Sequence, residues 1–85
     1  MNKIIKSITE VDLSAIRQPV IAIYYHPEDF PEKVVARIFD MDKPTEYIML
    51  EDTADGLAKD IHRHTGMVFF KRGADDIPSL LGVWA

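Results

Sequence analysis

The chain has 85 residues, 47% of them hydrophobic and 28% charged, with 10 Lys and Arg against 14 Asp and Glu and no cysteine. That length fits one small domain, and the composition is that of a globular chain, not a disordered one. Without thiols there can be no disulfide framework, thiolate metal site or thiol catalysis, which fits a reducing compartment.

Ser7 stands three residues before Glu10, the spacing of a capping box, and Val11, Leu13, Ala15 and Ile16 after it predict a short helix or turn reaching Arg17. Pro19 ends it. Val20 to Tyr25 is rich in β-branched and aromatic residues and predicts a strand. His26 to Glu32, with two prolines and three acids, predicts a loop. Val34 to Phe39 and Glu46 to Leu50 predict two further strands, joined as a hairpin by a turn from Asp40 to Thr45. Thr53 to His64 carries Ala54, Leu57, Ala58 and Ile61 at i, i+3, i+4 and i+7, one narrow apolar stripe of a helix. Asp52 or Thr53 can cap its start, and Gly66 lies where a left-handed cap is usual. Met67 to Lys71 and Leu80 to Trp84 predict two last strands around a turn from Arg72 to Asp76, and Pro78 favours an edge position for the final one.

The expected fold is therefore α+β: about five mostly antiparallel strands in the order β-β-β-α-β-β, preceded by a short N-terminal helix or turn and packed on one main helix, 53–64. The expected core is Ile21, Ile23, Val34, Ala36, Ile38, Ile48, Leu50, Leu57, Ile61, Phe69, Leu81 and Val83. No run approaches the ~20 apolar residues of a membrane helix, and Met1 to Lys6 has a positive charge but no signal-peptide core. The expected compartment is the cytoplasm, with no membrane partner.

Several strands break the alternation of a half-exposed sheet. Tyr24, Phe39, Tyr47, Met49, Phe70 and Trp84 fall out of phase with the expected core, so both strand faces are apolar. One helix, about 10 Å across, cannot cover both faces of a sheet about 20 Å wide. Three accounts compete. The N-terminal segment, with Ile4, Ile5, Ile8, Leu13 and Ile16, wraps over the remainder; the chain self-associates as a homodimer; or another protein docks on those six side chains, which are of the types that interfaces favour.

Other chemistries find less support. His62 and His64 point about 200° apart on a helix. Even with Asp60 and the distant His26 they lack the i, i+4 histidine pair of a helical zinc site. Asp40, Asp42, Glu51 and Asp52 lack the spacing of a calcium loop. Ser7, Ser14 and Ser79 sit in no nucleophile elbow, and Gly56, Gly66, Gly73 and Gly82 are too scattered for a phosphate loop. Acids outnumber bases, which disfavours direct nucleic-acid binding; only Lys71-Arg72 beside Phe69-Phe70 offers a basic, aromatic spot. The reading is a non-catalytic interaction domain with no cofactor or metal. The rivals are an acidic mimic that fills the basic groove of a nucleic-acid enzyme, with Asp40, Asp42, Glu51, Asp52, Asp55, Asp75 and Asp76 as its charges, and a small metal-dependent hydrolase around His26, Asp60, His62 and His64.

Overall fold

Among the described residues, six extended runs and one amphipathic run arrange as one α-helix on a mixed sheet. The structure, a computed structural model, describes residues 2–73 and 77–85. The strands are β1 (Lys3–Ile5), β2 (Pro19–Tyr25), β3 (Val34–Asp40), β4 (Lys43–Glu51), β5 (Phe69–Lys71) and β6 (Leu80–Trp84), and the helix is α1 (Ala54–His64). They line up as β1-β4-β3-β2-β6-β5. The α+β class and the main helix are as expected. The strand not expected is β1, which joins β4 in parallel, Ile4 beside Ile48, and is the one parallel pair in an otherwise antiparallel sheet. The proposed N-terminal helix is two short 3-10 turns, Ile8–Glu10 and Leu13–Ala15, the first closed by the Ser7–Glu10 capping box.

The turn after β3 decides which side chains enter the core. It has two residues, Met41 and Asp42, between the paired Asp40 and Lys43. An even count sets odd-numbered residues of β4 opposite even-numbered residues of β3. The register then slips from Phe39 beside Pro44 to Arg37 beside Ile48, two extra residues on β4, which leaves that parity unchanged. Thr45 covers the slip: its hydroxyl donates to the Ile38 carbonyl at 2.7 Å. Met49 therefore joins Ala36 on the helix side, whereas Ile48 and Leu50 turn to the opposite face. The expected core had these two sets exchanged.

On the helix side, Ile21, Ile23, Val34, Ala36, Ile38, Met49 and Trp84 meet Leu57 and Ile61 of α1. The N-terminal segment supplies Ile5, Ile8 and Val11 to the same cluster, with Leu13 and Ile16 packed against it. Each fully buried aliphatic side chain contributes about 1.5–3 kcal/mol. Of the other expected core residues, Leu50, Leu81 and Val83 are half-buried, Phe69 is exposed, and Ile48 is buried but on the other face. Thr53 caps α1 by accepting from the Gly56 N–H at 3.1 Å. At the far end the cap is not a left-handed Gly66. Thr65, in extended conformation, gives both its N–H (3.0 Å) and its hydroxyl (2.8 Å) to the Ile61 carbonyl. β6 lies between β2 and β5, not at an edge; Pro78 is accommodated because it precedes the strand. Of the expected turn from Arg72 to Asp76, residues 74–76 lie outside the described residues.

Met41 holds φ at 58°, in the left-handed region, where a side chain costs roughly 1–2 kcal/mol that glycine escapes. Glycine gives back about 0.5–1 kcal/mol through its looser unfolded chain. Met41→Gly is expected to stabilise the domain by up to about 1 kcal/mol, and a domain this size should then melt a few degrees higher. A lowered melting temperature in calorimetry would refute this account of the turn.

Candidate interaction surface

Strand register assigns every side chain to a face. Opposite the helix, one row crosses the whole sheet in register: Ile4, Ile48, Arg37, Ala22, Val83 and Phe70. A second row holds Leu50, Val35, Tyr24 and Leu80, and Phe39 stands beside Val20 in a third. No element of secondary structure lies over these rows among the described residues. Even so, Val35, Ile48 and Ala22 are buried. The β2–β3 loop reaches back to this face, where its Asp29 forms an ion pair with Arg37. The rows end in open side chains: Ile4 is 59% exposed at one edge and Phe70 54% at the other.

The six side chains expected to form one docking surface are divided between the two faces. Tyr24, Phe39 and Phe70 stand on the open face. Tyr47, Met49 and Trp84 stand on the helix side, where Met49 and Trp84 are buried and Tyr47 packs against the core beneath the Lys3 ammonium. The parity of the Met41-Asp42 turn places Tyr47 and Met49 there, and the pairing of Ile21 with Trp84 does the same for the tryptophan. The residues missed on the open face are Ile4, Leu80 and Val83. Their signal was the strand register, which periodicity alone does not supply.

On the helix side α1 lies over β3 and β4, and its small Ala54 and Ala58 leave a groove of about 400 Å³ towards β5 and β6, floored by Ile23, Leu81, Trp84 and Phe69. Gly82 makes that floor possible. A Cβ there would come within 2.4 Å of the Phe69 ring and 2.5 Å of the Phe70 carbonyl oxygen. Phe69 lies 5.4 Å from Trp84, ring centre to ring centre and tilted by 54°, a favourable aromatic geometry.

The histidines and acids are separated from one another. Asp60 is an anchor between helix and N-terminal segment: Ser7 donates its hydroxyl to Oδ1 and Ile8 its N–H to Oδ2, each at 2.7 Å. His64 turns back onto the same residue, 3.0 Å from its carbonyl. His62 lies beside Trp84, and His26 stacks on Tyr25 in the β2–β3 loop. Among the described residues no three His, Asp or Glu side chains converge as a metal site. Of the acids considered for mimicry, Asp40 accepts the Gln18 N–H, Asp55 pairs with Lys59, and Asp52 holds Lys33, while Asp75 and Asp76 lie outside the described residues. The 2.5 Å Lys33–Asp52 hydrogen bond, with the attraction of opposite charges, holds the lysine above its ordinary pKa and the aspartate below the usual carboxylate range. A raised base and a lowered acid both favour the folded state at neutral pH. The contribution fades as Asp52 protonates in acid and as Lys33 deprotonates in strong base, and both groups are exposed enough for salt to weaken it. No helix is long and apolar enough to cross a membrane among the described residues.

Compared with protein-family models, curated proteins and solved structures, the chain matches none of them.

Two substitutions separate core from surface. Trp84→Ala is expected to cost about 3–5 kcal/mol in urea denaturation, and Phe70→Ala no more than about 0.5 kcal/mol; equal losses would contradict the division of faces. Asp60→Ala leaves the Ile8 N–H and the Ser7 hydroxyl without their acceptor, and is expected to cost about 1–3 kcal/mol. An unchanged midpoint would show that the anchor is not needed.

Proposed function

We propose that the chain is a small, non-catalytic protein–protein interaction domain that docks through the sheet face its helix does not cover. The observation that carries this reading is the apolar row ending in exposed Ile4 and Phe70, continuous with half-buried Leu80 and Val83. The middle of the row, Ile48 and Ala22, is buried, so the accessible apolar surface lies at its two ends, and exposed apolar surface on a soluble domain marks partner sites. Arg37, neutralised by Asp29 in the middle of the row, adds no net charge there, so shape and burial, not charge, select the partner. Tyr24 and Phe39 on the same face supply the aromatic side chains that interfaces favour. The absence of thiols supports work in a reducing compartment, and we read that compartment as the cytoplasm.

The test is chemical cross-linking of the tagged chain in its source cells, with the adducts resolved by mass. A discrete protein adduct is expected that withstands high salt and is retained by Arg63→Asp on the outer helix surface. It should disappear with Ile4→Asp or Phe70→Asp. No adduct, or one lost only with Arg63→Asp, would overturn the reading. An adduct that dissolves at high salt would replace it with acidic mimicry of a basic groove.

A further inference from the structure

We infer that the outer edge of β5 pairs antiparallel with β5 of a second copy of this chain, in the register that brings Phe70 against the same residue across a two-fold axis. This contact goes beyond the docking reading above: the second copy extends the sheet beside β5 and leaves the open face, with Ile4 at its far edge, uncovered.

The hydrogen bonds of the last ladder carry the argument. Val68 and Ala85 exchange both bonds, at 2.8 and 3.0 Å, and the Arg72 N–H donates to the Leu81 carbonyl at 3.2 Å. Main-chain groups alternate direction along an antiparallel strand. With Val68 and Arg72 turned inward, Phe70 is inward too, and Phe69 and Lys71 present their N–H and C=O groups outward. Among the described residues no strand lies beyond β5. Soluble proteins usually guard such an edge with charge or twist. This one carries three consecutive apolar side chains, Val68, Phe69 and Phe70, exposed by 60%, 40% and 54%, with charge only at its end in Lys71 and Arg72.

A strand can pair with its own copy only in registers that set outward residues opposite outward residues, and three are available here. Centring on Lys71 puts two ammonium groups face to face, which repels. Centring on Phe69 sets Lys71 opposite Met67, whose N–H is already given to the Thr65 hydroxyl at 3.2 Å. Centring on Phe70 uses every outward group: Phe69 and Lys71 exchange both bonds across the axis, twice over. The two Phe70 rings then meet on the open face in the closer, non-hydrogen-bonded kind of pair. The row continues through the axis as Val83, Phe70, Phe70, Val83. On the helix side each Lys71 lies opposite the Phe69 ring of the other copy, within reach of a cation–π contact.

The purified full chain is measured by light scattering on a sizing column over a wide concentration range. A dimer is expected. Lys71→Pro removes an outward N–H that β6 does not use, so the monomer keeps its circular dichroism while the dimer dissociates at least tenfold more readily. The chain has no cysteine of its own, so Phe70→Cys should oxidise to a disulfide-linked dimer, since directly facing strand positions fall within disulfide reach. Ile4→Cys, at the other end of the same row, should not. Three results would each overturn the inference: a monomer at every concentration, a dimer unmoved by Lys71→Pro, or Phe70→Cys cross-linking no faster than Ile4→Cys. If Lys71→Pro unfolds the chain, the cysteine comparison decides. A monomer in isolation alongside a salt-resistant, Phe70-dependent adduct to another protein in cells would reject the second copy and leave the docking reading standing.

Discussion

The width of one helix governs this molecule. Six strands at about 4.8 Å span more than twice the roughly 10 Å that α1 can shield. Only the helix side of β3 and β4 receives its full cover from Leu57 and Ile61. The N-terminal segment extends that cover with Ile5, Ile8 and Val11, but on the same side. The shortage of cover therefore falls on the opposite face and on the β5–β6 end. The first is lined by half-buried apolar side chains; the second holds a groove floored by Phe69 over Gly82.

Polar groups are used to hold covers in place. The Asp60 carboxylate ties the start of the first 3-10 turn to the last turns of α1, so the N-terminal segment is fixed by charge-assisted hydrogen bonds as well as by its isoleucines. The β2–β3 loop is held twice, by Lys33 to Asp52 at its root and by Asp29 to Arg37 across the open face. The second tie holds the loop to Arg37, which stands beside Ile48 in the open-face row. Asp40, Asp52 and Asp55, which read in the sequence as part of a charge cluster, each hold a different structural partner.

What was legible in the sequence follows the range of the interaction concerned. The stripe of Ala54, Leu57, Ala58 and Ile61 and the capping pair Ser7–Glu10 are local patterns, and helix and cap lie where those patterns put them. The class of fold and the strands β2, β3 and β6 follow from β-branched runs of ordinary length. The facing of β4 was not read from periodicity, because apolar residues stand at every position from Tyr47 to Leu50; parity alone sets it, and the expected turn from Asp40 to Thr45, even in length like the observed Met41-Asp42 turn, already implied the observed facing. Reading the strand without that parity exchanged Met49 for Ile48 in the core and assigned Tyr47 and Met49 to the surface. β1 was missed because three residues carry almost no periodicity. The two-faced character of the sheet was visible, but which face stays open depended on where the N-terminal isoleucines went, and that is a non-local choice.

The Asp60 anchor joins residues 52 and 53 positions apart in the chain, and β1 rests on a strand made late in the same hairpin. Contacts of that separation close at greater entropic cost than the β2–β3 and β3–β4 hairpins do. The segment of β1 and the first 3-10 turn is therefore expected to dock after the hairpins have closed. Ile4, Ile5 and Ile8 wait in solvent while the hairpins form, which makes the N-terminal segment the part of the nascent chain most in need of protection from aggregation.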